Sequence, residues 1–136
     1  WSKRKLQGLE IGDLMRRRVR GIPASATFRR VIDFIERSHD DTLPVVNDEN
    51  HLVGMISYRE LQDEHFDPGL GSLVRADDIA FSSFPVLHPD QPAIEAWREF
   101  QKSKTDCLPI VSRERPYRLL GVISRRDILR LSVERE

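Results

Sequence analysis

The chain contains one structural unit twice. The segment LPVV at residues 43–46 returns as LPIV at residues 108–111, which is 65 positions later. A second segment, at residues 52–57, returns at residues 119–124, and five of the ten positions in the stretch 52–61 are identical to their counterparts. Because two different segments recur in the same order, the duplication restricts the fold to two similar halves.

Each half predicts the same order of secondary structure. Phe28, Val31 and Ile35 lie at helical spacing, as do their counterparts in the second copy, and therefore predict a first helix. The apolar runs 43–46 and 52–56 are separated by the polar turn NDEN and predict a β-hairpin. We therefore expect a helix followed by two strands in each copy.

Capping residues complete this unit. Ser57 and Ser124 are each followed three residues later by a carboxylate, which predicts the start of a second helix. Short leading strands are expected around residues 19–22 and 84–87. The sequence thus predicts an α+β domain in which the two halves pack through their sheets, since neither half of about 60 residues buries much core alone.

Composition and charge exclude several classes of protein. The 136 residues carry 22 Lys+Arg and 22 Asp+Glu, and this zero net charge disfavours a dedicated polyanion binder. No apolar run approaches the roughly 20 residues of a membrane span. Charge is segregated along the chain, basic in residues 1–20, acidic in 40–78 and basic again in 113–136. We therefore expect the two basic ends to lie near one another.

Each copy resembles a cystathionine β-synthase (CBS) motif, with an Asp-Leu-Met-like start, a segment like LPVV and a run like LVGMIS-x-R-acid. Two in tandem resemble a Bateman module. That resemblance implies two βαββα-type units with pseudo-twofold symmetry, frequent dimer formation and a non-catalytic role as a regulatory sensor of adenosyl nucleotides. The expected divisions are a basic lead-in linker at 1–10, CBS motif 1 at 11–65, a joint at 66–73, CBS motif 2 at 74–132 and a tail at 133–136.

The family's nucleotide motif, Gly-hydrophobic-hydrophobic-Ser/Thr-x-x-Asp, is complete in the second copy. The free amides of a helix N-terminus bind phosphate, and the Asp127 carboxylate can accept hydrogen bonds from both ribose hydroxyls. Gly121 would let a ligand approach the backbone closely, and the base would lie against the first copy. The implied nucleotide-binding residues are Ile22, Pro23, Val45, Gly121, Ser124, Arg126 and Asp127.

The first copy departs from this motif because Glu60 stands where the family has Asp. Ser57 and Glu60 form the pattern of a capping box that needs no ligand, so Ser57, Tyr58 and Glu60 make only a weaker second site. Asp40 and Asp41 lie near the expected path of the base or phosphates and would repel a triphosphate. The resemblance implies AMP, ADP or ATP as a regulatory ligand and no required cofactor.

Other chemistries find little support in the sequence. The His-containing clusters at 39–41 and 63–67 lack helix-spaced ligand pairs, so no metal site is predicted. No nucleophile elbow, phosphate loop or HExxH motif occurs, and no catalytic residue is predicted. Cys107 precedes a strand and is interpreted as a small core residue. The arginines of residues 16–20 lack interleaved aromatics, which favours a solvated or dimer-facing edge over nucleic-acid binding.

The segments 5–11, 66–70 and 74–80 resemble the cytoplasmic tails of prokaryotic chloride channels and transporters. This implies a homodimer at the cytoplasmic face of the inner membrane, soluble itself but attached to a membrane-embedded domain whose last helix ends just before Trp1. Two alternatives stay open: a purely structural dimerisation module without ligand, and the regulatory part of a nucleotide-metabolising enzyme or Mg²⁺ transporter.

Overall fold

The computed structural model describes residues 3–63 and 73–134, so residues 66–72 of the predicted joint lie outside the described part. A 3₁₀ helix (Lys3–Leu6) and α1 (Ile11–Leu14) come first. The remaining elements are β1 (Ile22–Pro23), α2 (Phe28–Arg37), β2 (Thr42–Val46), β3 (Leu52–Ser57), α3 (Tyr58–Asp63), α4 (Ala76–Ile79), α5 (Ala93–Lys102), β4 (Cys107–Val111), β5 (Leu119–Ser124) and α6 (Arg125–Glu134). The predicted α+β fold of two tandem units is confirmed.

The two hairpins match in register. Strands β2 and β3 pair antiparallel, and β4 and β5 repeat that pairing with the same irregularity one residue before the end of the first strand. β1 joins β2 in parallel through Ile22 and Pro23, whereas its counterpart in the second unit is a single bridge from Leu87. The leading strands are thus shorter than predicted, since pairing begins only at Ile22 in the first unit and only at Leu87 in the second.

Two segments cross between the units, and we call them the lead-in segments, residues 6–16 and 74–81. The backbone of Arg16 pairs with Val122 of β5 through two hydrogen bonds of 2.8 and 3.0 Å. The backbone of Phe81 pairs with Met55 of β3 through two of 2.9 Å. Each lead-in segment therefore adds backbone pairing to the unit that does not follow it directly in the chain.

The hydrophobic cores follow the same exchange. Leu6, Ile11 and Met15 are buried in the core of the second unit, together with Phe100 of α5 and Ile128 of α6. In return, Ala76 of α4 is buried in the core of the first unit. Neither unit has a complete core without the lead-in segment that crosses into it.

Two glycines make room for the crossing strands. A Cβ on Gly121 would overlap the carbonyl oxygen of Arg16 and lie 2.5 Å from Met15 Cε. A Cβ on Gly54, the equivalent position, would lie 2.7 Å from Ala80 Cβ. We expected Gly121 to admit a ligand; the group that approaches it is the chain's own backbone.

Candidate functional site

A cleft of about 540 Å³ lies between the segment 16–20, helix α2 and strand β2. We call it the arginine cleft because five arginines line it: Arg16, Arg18, Arg20, Arg30 and Arg37. Its apolar lining includes Val19, Leu43, Pro44 and Val122, the last of which comes from the second unit. The cleft therefore offers cations and an apolar surface side by side, and it is shared by the two units.

Helix α2 presents one continuous face to this cleft. Arg30, Asp33, Phe34 and Arg37 all line it, and their spacing of three, four and seven residues places them on one side of the helix. Val31 and Ile35 are buried on the opposite side. The Arg20 guanidinium lies 5.9 Å from the centre of the Phe34 ring and so links the segment 16–20 to the helix.

At one edge of the cleft, Arg16 joins three parts of the chain. Its Nε donates to Asp127 Oδ2 at 3.1 Å, and its Nη2 donates to Asp40 Oδ2 at 2.9 Å. Arg126 Nη2 donates to the His39 carbonyl at 3.1 Å and lies 3.7 Å from Asp40 Oδ1. We call Arg16, Asp40, Arg126 and Asp127 the Arg16 network. Burial opposes the charged form of Arg16, but hydrogen bonds and charges from the two aspartates raise its pKa.

Asp127 combines this ion pair with a helix cap. Its Oδ2 also accepts from the Ser124 amide at 2.8 Å, and the Asp127 amide donates to Ser124 Oγ at 3.2 Å. Both donors use Oδ2, so within the described residues Oδ1 has no hydrogen-bond donor. The side chain is only 8% exposed and does not line the cleft, whereas Arg16 does. Arg16 thus stands between Asp127 and the cleft.

The capping boxes differ from the sequence-based expectation. The box at Ser124 and Asp127 is reciprocal, since each backbone amide donates to the side chain of the other residue. In the first unit the Glu60 amide lies 3.5 Å from Ser57 Oγ, and among the described residues the Glu60 carboxylate does not return a hydrogen bond. Ser124 is buried at the end of β5, whereas Ser57 is half-buried at the end of β3.

The remaining predicted site residues are divided between the core and a second cavity. Ile22 and Val45 pair across β1 and β2 and are fully buried, Pro23 is half-buried beside them, and none of the three lines the cleft. Ser57 and Glu60 line a separate cavity of about 310 Å³. Tyr58 is exposed and does not line that cavity.

Two basic residues of α6 have different roles. Arg125 donates to the Phe100 carbonyl, donates to the Ser103 carbonyl at 3.0 Å and pairs with Asp106 at 3.1 Å. It therefore holds the end of α5, while the neighbouring Arg126 belongs to the Arg16 network. Since Arg16 and Arg126 both approach Asp40, the two basic ends of the chain do come together at this carboxylate.

A model of the CBS domain family matches residues 11–65 and 76–134. The chain belongs to the CBS domain family. It is a tandem CBS pair, as the resemblance of the two copies implied, and such pairs are regulatory modules. The family assignment rests on both halves and covers most of the chain.

Solved structures share the fold of this CBS pair at low sequence identity. The CBS domains of a transcriptional regulator from Streptococcus pneumoniae are 19% identical with a TM-score of 0.76, over 91% of this chain and 99% of that one. The protein CBSX2, solved in complex with AMP, is 22% identical with a TM-score of 0.73, over 93% of this chain and 98% of that one.

A longer relative contains a similar stretch. The A-adding tRNA nucleotidyltransferase of Geobacter sulfurreducens is 32% identical over 120 residues. This alignment covers 87% of the CBS pair but only 13% of that enzyme. The chain therefore corresponds to a small part of this relative.

Sequence reasoning missed part of the arginine cleft. Arg30 and Arg37 were not identified, although their seven-residue spacing around Phe34 was a readable signal of one helix face. The basic segment 16–20, interpreted as a solvated or dimer-facing edge, lines a wall of the cleft. Cys107 is 2% exposed, and burial raises the pKa of its thiol, in agreement with a core role.

Two further findings concern the described residues only. No group of three His, Cys, Asp or Glu side chains in 3–63 and 73–134 is arranged to hold a metal ion. No helix in that part of the CBS pair is both long enough and apolar enough to cross a membrane.

Proposed function

We propose that this CBS pair is a regulatory module that binds an adenine nucleotide in the arginine cleft and transmits binding through the first lead-in segment. The observation that carries the proposal is the Arg16 network. It connects the lead-in segment, the loop before β2 and the start of α6 at the edge of a cleft large enough for a nucleotide. The AMP complex of CBSX2, which shares the fold, supports an adenine nucleotide as the ligand.

In this proposal the base lies on the apolar lining of the cleft. Leu43, Pro44 and Val122 provide that surface. Ile22 and Val45, which the sequence predicted to contact the base, are buried in the core. The ribose hydroxyls reach Asp127, whose Oδ1 is the acceptor left open by the capping box. The phosphates face the arginines, whose planar guanidinium groups bind phosphate oxygens in pairs.

Ligand binding in the cleft would be transmitted to the first lead-in segment through Arg16. To reach Asp127, the ribose has to displace the Arg16 side chain from the carboxylate, because Arg16 lines the cleft and Asp127 lies behind it. Arg16 is also the last residue of the first lead-in segment, where its backbone pairs with β5. A ligand that binds only the released arrangement shifts the population toward it, and this is the condition for regulation.

The test is calorimetric titration of the purified chain with adenosine, AMP, ADP and ATP, using Asp127→Asn and the matched control Glu60→Gln. The carboxamide oxygen of Asn still accepts from the Ser124 amide, so the cap is kept while the charge is lost. We expect Asp127→Asn to weaken nucleotide binding at least tenfold and Glu60→Gln to leave it unchanged.

Flat titrations of the wild-type chain, with no change in Tm at millimolar nucleotide, would instead support a purely structural dimerisation module. A ligand at 100 times its Kd adds about 2.7 kcal/mol of stability, which a thermal melt detects readily. Equal nucleotide affinity of Asp127→Asn and wild type would overturn the assignment of Asp127 to the ribose.

We also propose that the module forms a homodimer and regulates a larger polypeptide. One context is the cytoplasmic tail of a chloride channel or transporter, which the segments 5–11 and 74–80 resemble. A second is the regulatory part of an enzyme that adds nucleotides to tRNA, which the 32% identity to one part of the Geobacter enzyme favours. Reading the flanking coding sequence distinguishes them, because apolar spans before Trp1 support the channel and an enzyme sequence supports the second context.

A further inference from the structure

We infer that the arginine cleft selects nucleotides with two or three phosphates over nucleoside monophosphates. This inference deepens the proposed function and rests on it. Its starting point is the imbalance of charge in the cleft, where five arginines face two aspartates, Asp33 and Asp40. Charged side chains of both signs are usually interspersed on a protein surface, so three surplus positive charges around one cavity require an explanation.

The charge of Asp40 is already compensated. Its carboxylate pairs with Arg16 at 2.9 Å and lies 3.7 Å from Arg126, so it does not offset the other arginines. The sequence suggested that Asp40 and Asp41 would repel a triphosphate. The structure instead pairs Asp40 with two cations and leaves Asp41 outside this cleft, in the lining of the smaller cavity.

Four arginines remain available to a ligand. Arg18, Arg20, Arg30 and Arg37 are exposed, and none of them forms an ion pair with a carboxylate within residues 3–63 and 73–134. Like charges gathered around one cavity repel each other and lower the stability of the folded chain. A bound polyanion removes this repulsion, and each added phosphate contributes another charge to the favourable interaction.

The fold itself does not require these arginines. The second unit forms the same helix and hairpin, and at the four positions 65 residues later it carries Ser83, Pro85, Glu95 and Lys102. A single basic side chain therefore stands where the first unit has four. Since both units fold with the same backbone pairing, the arginine surplus is a property of the first cleft and not of the architecture.

The placement of the four arginines fits a chain of phosphates. Arg18 and Arg20 come from the segment before β1, and Arg30 and Arg37 come from the face of α2 opposite to it. Seven residues of helix separate the two α2 arginines by about 10.5 Å, which spreads the cations along the cleft. A single phosphate reaches only part of such a row, whereas a di- or triphosphate can contact both walls.

The deciding experiment compares Kd values of ATP, ADP and AMP for the wild-type chain and for the Arg30→Gln/Arg37→Gln variant. Arg29→Gln is the matched control, because Arg29 is exposed on the same helix but does not line the cleft. We expect wild type to bind ATP at least tenfold more tightly than AMP, which corresponds to about 1.4 kcal/mol. The double variant should lose most of that ratio, because its affinity for ATP falls much more than its affinity for AMP, and Arg29→Gln should keep the ratio.

Inorganic tripolyphosphate serves as a second probe that has no base or ribose. Binding of tripolyphosphate that is lost in the double variant, in a chain that binds no nucleotide, would overturn the proposed function but retain the phosphate site. Equal Kd values for AMP and ATP, or an equal loss for both in the double variant, would overturn the phosphate selection and leave nucleotide binding intact. All variants are exposed charge changes, and unchanged thermal melts verify that they fold.

Discussion

The two halves of the chain share a backbone and differ in chemistry at the point where the lead-in segments cross. Arg16 and Phe81 occupy equivalent positions, and each pairs by its backbone with the middle of the opposite hairpin. The side chains at the three equivalent sites are Arg16, Asp40 and Asp127 in one set and Phe81, Thr105 and Glu60 in the other. The first set is an ion-pair network, and the second contains an aromatic ring, a hydroxyl and a carboxylate, all of which line the cavity of about 310 Å³.

This difference separates the contacts that the crossing itself needs from those that it does not need. Phe81 packs edge-on against Phe84 with ring centres 6.1 Å apart, and Thr105 lies within hydrogen-bond distance of Thr42 at 3.4 Å. Those contacts hold the second crossing without any charge. The charges around Arg16 are therefore not needed for the crossing itself, and their presence in one half supports the proposed ligand site in the arginine cleft.

The largest expected effect compares the two glycines at the crossings. Gly121→Ala should lower the free energy of unfolding by about 3 kcal/mol or more, because its Cβ meets the backbone oxygen of Arg16, which cannot move aside. Gly54→Ala should cost about half as much, since the closest group is the Ala80 methyl at 2.7 Å. Urea denaturation of both variants measures the difference, and equal losses would mean that the two crossings are equally tight.

Next in size is the effect of Arg16→Ala. Removing the guanidinium leaves two largely buried carboxylates without their main partner. The free energy of unfolding should therefore fall by about 2 kcal/mol, a value between those of surface and buried ion pairs. The same change should tighten adenosine binding several-fold, because the ribose then no longer has to displace Arg16 from the Asp127 carboxylate.

Arg17→Ala is the control for this comparison. Arg17 is exposed and, within residues 3–63 and 73–134, donates only to the Gly12 carbonyl, so neither stability nor adenosine affinity should change by more than a small amount. Adenosine is the suitable probe since it has no phosphate that Arg16 could bind. Weaker adenosine binding by Arg16→Ala than by wild type would contradict the competition between ribose and Arg16.

A smaller effect distinguishes the two capping boxes. Ser124→Ala removes a buried hydroxyl from a reciprocal box and should cost about 1 kcal/mol. Ser57→Ala removes only a 3.5 Å hydrogen bond, and its cost in stability should be a few tenths of the cost of Ser124→Ala. Thermal unfolding of the two variants provides the comparison, and a larger loss for Ser57→Ala would show that α3 depends on its cap more than α6 does.

The smallest effect concerns Cys107, which stands where the first half has Thr42. Because burial raises the pKa of its thiol, the folded chain should react with iodoacetamide at pH 8 far more slowly than the urea-unfolded chain. By linkage, the stability that a neutral buried thiol contributes is complete below the unfolded pKa of about 8.5 and is lost as the pH rises above it. Rapid labelling of the folded chain would contradict the core assignment.

The sequence was sufficient for the repeats, the hairpins and the helix starts. These features depend on local patterns, such as the LPVV segment and the Ser-x-x-acid caps. Each pattern occurs in both copies, so each copy supports the prediction made from the other. The exchange of the lead-in segments could not be predicted from the sequence, because both units offer a similar hairpin strand for pairing. Which unit a lead-in segment joins depends on the long-range packing of residues such as Leu6.

The site was predicted in part for similar reasons. Ser124 and Asp127 belong to a local motif and do lie together with Arg126 at the edge of the cleft. The assignment of the base to Ile22 and Val45 did not account for their burial, which depends on how β1 packs. Arg16 was visible as a basic residue, but its role depends on Asp40 and Asp127, which lie 24 and 111 positions away in the chain.

The crossing of the first lead-in segment also determines how the molecule carries a mechanical load. Leu6, Ile11 and Met15 are anchored in the second unit, while the chain beyond Arg16 enters the first. A pull on the N-terminal side of Leu6 is therefore borne first by the core around Phe100, in the unit that is farther along the chain. The antiparallel pair of Arg16 and Val122 lies at the end of that load path, where the force passes from one unit to the other.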